Sequence, residues 1–247
     1  MNRSFPRGAN SDAPELTSAM STTPILNGVV LRRLIVACGV LFLGCVVLVA
    51  SQQAGSGVDR FAFDVVIDNR GQRIIDLARF TVSLGEILPL TALAALCGGA
   101  LLIRRADPLK AALAPMALLV TGVLVAALKH VVARSGPSAQ LRSVSEPSNA
   151  FPSGHAALSA GVLVAIGLVI TADAQISTGV RRAVFVGCVL LAAVVSWSTV
   201  ALHMHWPTDA IGGSALGAAV ACVLCLCAQS PRLRALLSAR RGVSDRS

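Results

Sequence analysis

The sequence predicts an all-α membrane protein, a polytopic bundle of six transmembrane helices, on three observations. Hydrophobic residues make up 55% of the chain and charged residues only 13%. With a mean hydropathy of +0.74, this balance excludes an ordinary soluble domain. The apolar residues gather into six stretches of near-spanning length, since about 20 residues of helix cross roughly 30 Å of hydrocarbon. Little chain is left over, so one bundle is expected and no separate soluble domain.

Residues 1–28, rich in Ser, Thr, Asn and Pro and without an apolar stripe, are expected to be a disordered cytoplasmic segment. The membrane domain then occupies residues 29–230, and 231–247 form a basic cytoplasmic tail. The first span, 34–50, is long enough to resemble the apolar core of a signal peptide. A long polar segment precedes it, however, and Ala50-Ser51-Gln52-Gln53 is a poor cleavage site, which makes it a retained span.

Residues 58–80 interleave Phe61, Phe63, Val65, Val66, Ile74, Ile75, Leu77 and Phe80 with charges. That is the pattern of one or two amphipathic helices in the outer interface, broken at Asn69-Arg70-Gly71. Such a segment serves either as a connector or as a platform that guides lipid toward a site. The remaining spans are expected at 81–103, 111–128, 155–170, 183–202 and 210–228.

Basic residues set the orientation, because Lys and Arg near span ends stay on the cytoplasmic side. With the N-terminus inside, the inner segments hold Arg32, Arg33, Arg104, Arg105, Lys110, Arg181, Arg182, Arg232, Arg234, Arg240 and Arg241. In the outer segments Arg60, Arg70, Arg73 and Arg79 alternate with Asp59, Asp64, Asp68 and Asp76. The net charge of +9 is therefore nearly all cytoplasmic. It reads as topology and attraction to anionic lipid, with no nucleic-acid partner. All seven cysteines fall inside predicted spans. Cys222, Cys225 and Cys227 have no His or carboxylate at their depth, so they read as small packing residues and not as metal ligands.

Two motifs stand where spans begin. Pro152-Ser153-Gly154-His155 opens the fourth: Ser153 suits an N-cap, Gly154 admits close approach of a ligand, and the open amides of the first turn favour an anion such as phosphate. His155 beside them can donate a proton to a leaving oxygen. His203-Met204-His205-Trp206-Pro207-Thr208-Asp209 joins the fifth span to the sixth, with Pro207 placed for a first helical turn. Asp209, one turn beyond His205, can accept its ring N–H and leave the other nitrogen to attack. His203, His205 and Asp209 also permit a metal site, although histidines two apart point different ways. Lys129 ends the third span and is one of only two lysines, which suits either an anion site or snorkelling.

Together, Lys129, Pro-Ser-Gly-His and Ser198 followed by His205 and Asp209 resemble the three motifs of the type 2 phosphatidic acid phosphatase superfamily, the lipid phosphate phosphatases. The family pattern is K-x6-R-P, P-S-G-H and S-R-x5-H-x3-D on a six-helix membrane bundle. The resemblance spans roughly residues 30–228 and takes in helix count, loop order and Gly213. It implies His205 as a nucleophile forming a phosphohistidine, Asp209 as its orienter and His155 as the acid. It also implies Lys129, Ser153, Gly154 and Ser198 at the phosphate, an extracytoplasmic site in the cell membrane, and no metal or organic cofactor.

This chain is a divergent member of that pattern, with Gly136 and Thr199 where the two motif arginines belong. Arginine forks hold phosphate and stabilise transferred charge, and Arg134 and Arg142 in the same loop are the candidates to replace them. Two functions follow. One is a phosphatase acting on a phospholipid or polyprenyl phosphate; the other is a non-hydrolytic relative that binds or moves a phospholipid. A small transporter is disfavoured, since Glu86 is the one acidic residue within the spans.

Overall fold

A computed structural model describes residues 27–51, 57–137 and 149–235. Expectations for the N-terminal segment and for most of the basic tail lie outside the described residues. The named elements are all helices: α1 (Gly28–Ser51), α2 (Gly57–Asp68), α3 (Gln72–Leu84), α4 (Ile87–Ile103), α5 (Pro108–Val132), α6 (Gly154–Thr171), α7 (Thr178–Ala201) and α8 (Pro207–Ala228). Helices α1, α5, α6, α7 and α8 are each long and apolar enough to cross a membrane. Helices α3 and α4, taken together as one bent span, pass the same test of length and composition as a sixth.

That sixth span corrects the sequence expectation of one continuous helix over 81–103, because α3 and α4 are bent by 53° at Gly85-Glu86. Gly85 closes α3 against α6 and α7. A Cβ there would stand 2.6 Å from Val195 Cγ1 and 2.9 Å from Ser159 Oγ. Pro89, in the first turn of α4, has no amide with which to carry the hydrogen-bond ladder across the break. The amphipathic segment does divide near Arg70-Gly71, and its second half runs on into this bent span.

Helix α6 is the axis of the bundle. Between residues 156 and 169 every side chain but that of Leu158 is buried. In hydrocarbon, tight association depends on small residues that let backbones approach, and α6 meets α8 through Gly161, Gly213 and Gly217. A Cβ on Gly213 would fall 2.5 Å from the Ser153 carbonyl oxygen, which fixes the start of α6 against the first turns of α8. Helix α1 seals the other side, with Cys45 and the buried Phe151 ring against Gly212.

The two ends of the bundle differ in chemistry. At one end Arg104 pairs with Asp173 at 3.4 Å, Arg234 with Asp107 at 2.8 Å, and Arg181 donates to the Thr171 carbonyl at 3.1 Å. The other end gathers the start of α2, the end of α5, the start of α6 and the turn between α7 and α8.

Candidate active site

The turn between α7 and α8 is shaped by its backbone. Thr199 carbonyl oxygen accepts from Met204 N at 2.9 Å and from His205 N at 3.3 Å, and His203 takes a left-handed φ of 60° to allow it. Arg70, between α2 and α3, donates to the Ala201 carbonyl and lies 3.3 Å from His203 Nδ1. Phe63 of α2 packs on both His203 and Trp206, each with ring centroids 5.2 Å apart. The His203 ring is thus turned toward α2, whereas His205 is buried toward Asp209, so the two do not form a chelating pair.

Asp209 sits in the first turn of α8. Its Oδ2 accepts from Trp206 N at 2.9 Å, half of a capping box, and lies 3.8 Å from His205 Nδ1. This geometry turns Nδ1 to the carboxylate and leaves Nε2 on the far side of the ring. Ser153 caps α6, its Oγ accepting from Ala156 N at 3.4 Å, and its own amide donates to the Asp209 carbonyl oxygen at 3.1 Å. The two helix N-termini are thereby tied together. Gly154 and His155 occupy the first turn of α6 and are half-buried, so amides that suit an anion stand next to an oriented imidazole.

Arg134 is the largest fully buried side chain of the site. Ala133, at a left-handed φ of 47°, ends α5 and turns the next residue inward. Its guanidinium donates to Asp59 Oδ2 at 2.6 Å, to Thr208 Oγ1 at 2.7 Å, and to Asp209 Oδ1. Asp59, in the first turn of α2, also accepts from Thr208 N at 2.9 Å and Thr208 Oγ1 at 2.8 Å. Burial pushes the Asp59 carboxyl up, but the bonds from Arg134 and Thr208 outweigh it and hold its pKa below the ordinary value. The Ala150 amide donates to the Arg134 carbonyl at 2.9 Å, and Trp206 Nε1 donates to the Ser135 carbonyl at 3.1 Å.

Of the residues expected from sequence, the structure brings Asp209, Ser153 and Arg134 into one hydrogen-bonded group, with the His205 ring 3.8 Å from Asp209 and with Gly154 and His155 beside it. Lys129 lies in the last turn of α5, half-buried and without an ion pair among the described residues. Ser198 does not join them, because its hydroxyl is buried between α7 and α3, 2.6 Å from Thr81 Oγ1 and 2.8 Å from the Val194 carbonyl. Thr199 Oγ1 is likewise taken up, by the Ser196 carbonyl at 2.7 Å. Arg142 lies outside the described residues.

Asp59, Thr208 and Arg70 went unrecognised in the sequence. Asp59 is one of several carboxylates alternating with arginines, and only the packing of α2 on the turn before α8 singles it out.

The fold and the sequence have relatives. A crystal structure of a transmembrane PAP2-type phosphatidylglycerolphosphate phosphatase from Bacillus subtilis superposes with a TM-score of 0.67 at 22% identity, covering 76% of this chain and 93% of that one. Aquifex aeolicus LpxE superposes with a TM-score of 0.54 at 19% identity, covering 69% and 96%. These are likenesses of fold. No curated protein matches the sequence. The model of the PAP2 superfamily matches residues 110–232, a stretch that holds Lys129, Arg134, the Ser153–His155 turn, His205 and Asp209. With its all-helical fold and its motifs in the family's order, the chain belongs to the PAP2 superfamily.

Proposed function

We propose that the protein is a metal-independent lipid phosphatase of the cell membrane. It would hydrolyse a lipid phosphomonoester or diphosphate at the extracytoplasmic face through a phosphohistidine. The observation that carries this reading is the 3.8 Å approach of Asp209 to His205 Nδ1 at a turn that is bonded directly to the N-terminus of α6. A protein that only binds lipid has little physical need of an imidazole oriented in this way.

The steps follow from the placement. The phosphoryl group rests on the amides of the first turn of α6, with Lys129 adding positive charge. His205 Nε2 attacks phosphorus, the bond from phosphorus to the lipid oxygen breaks, and His155 gives that oxygen a proton. The resulting phosphoimidazolium is stabilised by Asp209. Water then attacks phosphorus while His155, now neutral, takes its proton. The P–N bond breaks, releasing phosphate and restoring His205.

The test is phosphate release by detergent-purified protein, without added metal, from phosphatidate, phosphatidylglycerol phosphate and polyprenyl phosphate or diphosphate. Release from at least one is expected. A second reading is favoured by the lack of arginine at Gly136 and Thr199: a relative that binds or moves phospholipid without hydrolysis. Lipid binding with no release from the whole panel establishes that reading and sinks the first.

The side of the membrane is a separate expectation. The described basic residues of the inner segments all lie at the end of the bundle away from His205, and cytoplasmic loops carry such excess. In intact cells an impermeant thiol reagent is therefore expected to label Gln72→Cys, at the site end, and to spare Ala174→Cys, in the turn before α7. The opposite pattern places the site in the cytoplasm.

A further inference from the structure

Asp59 is a buried carboxylate of the cluster that the proposed chemistry does not call for. It reaches the site from α2, outside the segments that carry the motifs, and its carboxylate is fully buried. Its oxygens are satisfied by Thr208 and by Arg134, and Arg134 is bonded in the same way to Asp209. Among the described residues the charges therefore run from carboxylate to guanidinium to carboxylate, and the last carboxylate is the one that faces His205 at 3.8 Å.

An arginine bonded to Asp209 alone would cancel the charge that His205 needs. As Nε2 bonds to phosphorus the ring becomes cationic. A neutral arginine–aspartate pair stabilises that cation far less than a net anion does where water is excluded. We infer that Asp59 is a positioning residue that keeps the cluster at one net negative charge, so that Arg134 locks the orientation of Asp209 without neutralising it. Arg134 is then a structural partner of the orienting carboxylate, and its place two residues before the motif position follows from that role. This inference rests on the phosphatase reading.

The experiment uses the full-length protein in detergent with the lipid phosphate that the wild type hydrolyses best. Asp59→Asn keeps one acceptor oxygen, for Thr208 Oγ1 and Arg134, gives up the one that accepts from Thr208 N, and leaves the cluster neutral. Its kcat is expected to fall about 10- to 100-fold, with KM within about threefold. The double variant Asp59→Asn/Arg134→Gln loses one charge of each sign and is net negative again through Asp209. Its kcat is expected to recover by about tenfold or more over Asp59→Asn. A purely structural role gives the reverse order, with the double variant slower than the single.

Wild-type kcat in Asp59→Asn, or a double variant as slow as Asp59→Asn or slower, overturns the inference and leaves the phosphatase reading standing. If Asp59→Asn does not fold, the double variant carries the comparison: a kcat within about tenfold of wild type supports the inference. A folded double variant slower than that, or one that fails to fold as well, assigns the cluster to stability alone and overturns the inference. A wild-type protein that releases no phosphate from any lipid overturns both.

Discussion

His205→Ala abolishes phosphate release together with any phosphoenzyme trapped by acid quench, whereas His155→Ala slows release to a degree that depends on the leaving group. The asymmetry comes from what each ring does. His205 faces Asp209 through Nδ1 at 3.8 Å, and in the proposed mechanism its removal takes away the attacking atom. Loss of such a nucleophile costs about 10⁴-fold or more. His155 stands at the start of α6, beside the amides that the proposed mechanism assigns to the phosphoryl group. Its proton matters when the departing oxygen is a poor leaving group, as in an alkyl lipid phosphate. There the expected loss is on the order of 10²- to 10⁴-fold. With an aryl phosphate, whose oxygen leaves readily, His155→Ala should fall only a few-fold while His205→Ala remains dead. A His205→Ala protein that still releases phosphate removes the covalent step from the mechanism, and equal losses with both substrates remove the acid role from His155.

Much of this site is legible in the chain because its parts are local. A serine before a glycine at the mouth of an apolar helix predicts a cap and open amides, and Ser153 does cap α6. A carboxylate four residues after a histidine at another helix start predicts their approach, as found for Asp209 and His205. What is not legible depends on tertiary packing. Gly85 reads as a tolerable small residue within a span, yet its closeness to Val195 and Ser159 makes it a break. The family resemblance implies Ser198 as a phosphate ligand, but its hydroxyl meets Thr81 on a helix that sequence alone does not place there. Arg134 reads as a replacement for an absent arginine. Its burial beside Asp59 depends on α2 folding back over the turn before α8, which no periodicity in residues 58–80 announces.

Gly217→Ala is expected to cost about 3 kcal/mol or more of stability, although it adds one methyl group. The added Cβ would stand 2.0 Å from the Ala157 carbonyl oxygen, 2.7 Å from Gly161 N and 2.9 Å from the Ala157 carbonyl carbon. All three are backbone atoms of α6, so no rotamer change relieves the contact and the helices themselves must part. In purified protein the thermal transition should fall by roughly 10 °C. Gly39→Ala serves as the control, since a Cβ there meets nothing within 4 Å, and the better helix propensity of alanine should hold or slightly raise the transition. The consequence for function follows from which helices separate. Helix α6 carries Ser153 and His155, α8 carries Asp209, and the Ser153 amide is joined to the Asp209 carbonyl at 3.1 Å. Forcing the crossing apart pulls the first turn of α6 away from Asp209 and the His205 ring, so on the proposed mechanism kcat should fall even below the transition temperature. Wild-type stability and rate in Gly217→Ala would show that the glycine crossing does not hold the two halves of the site together.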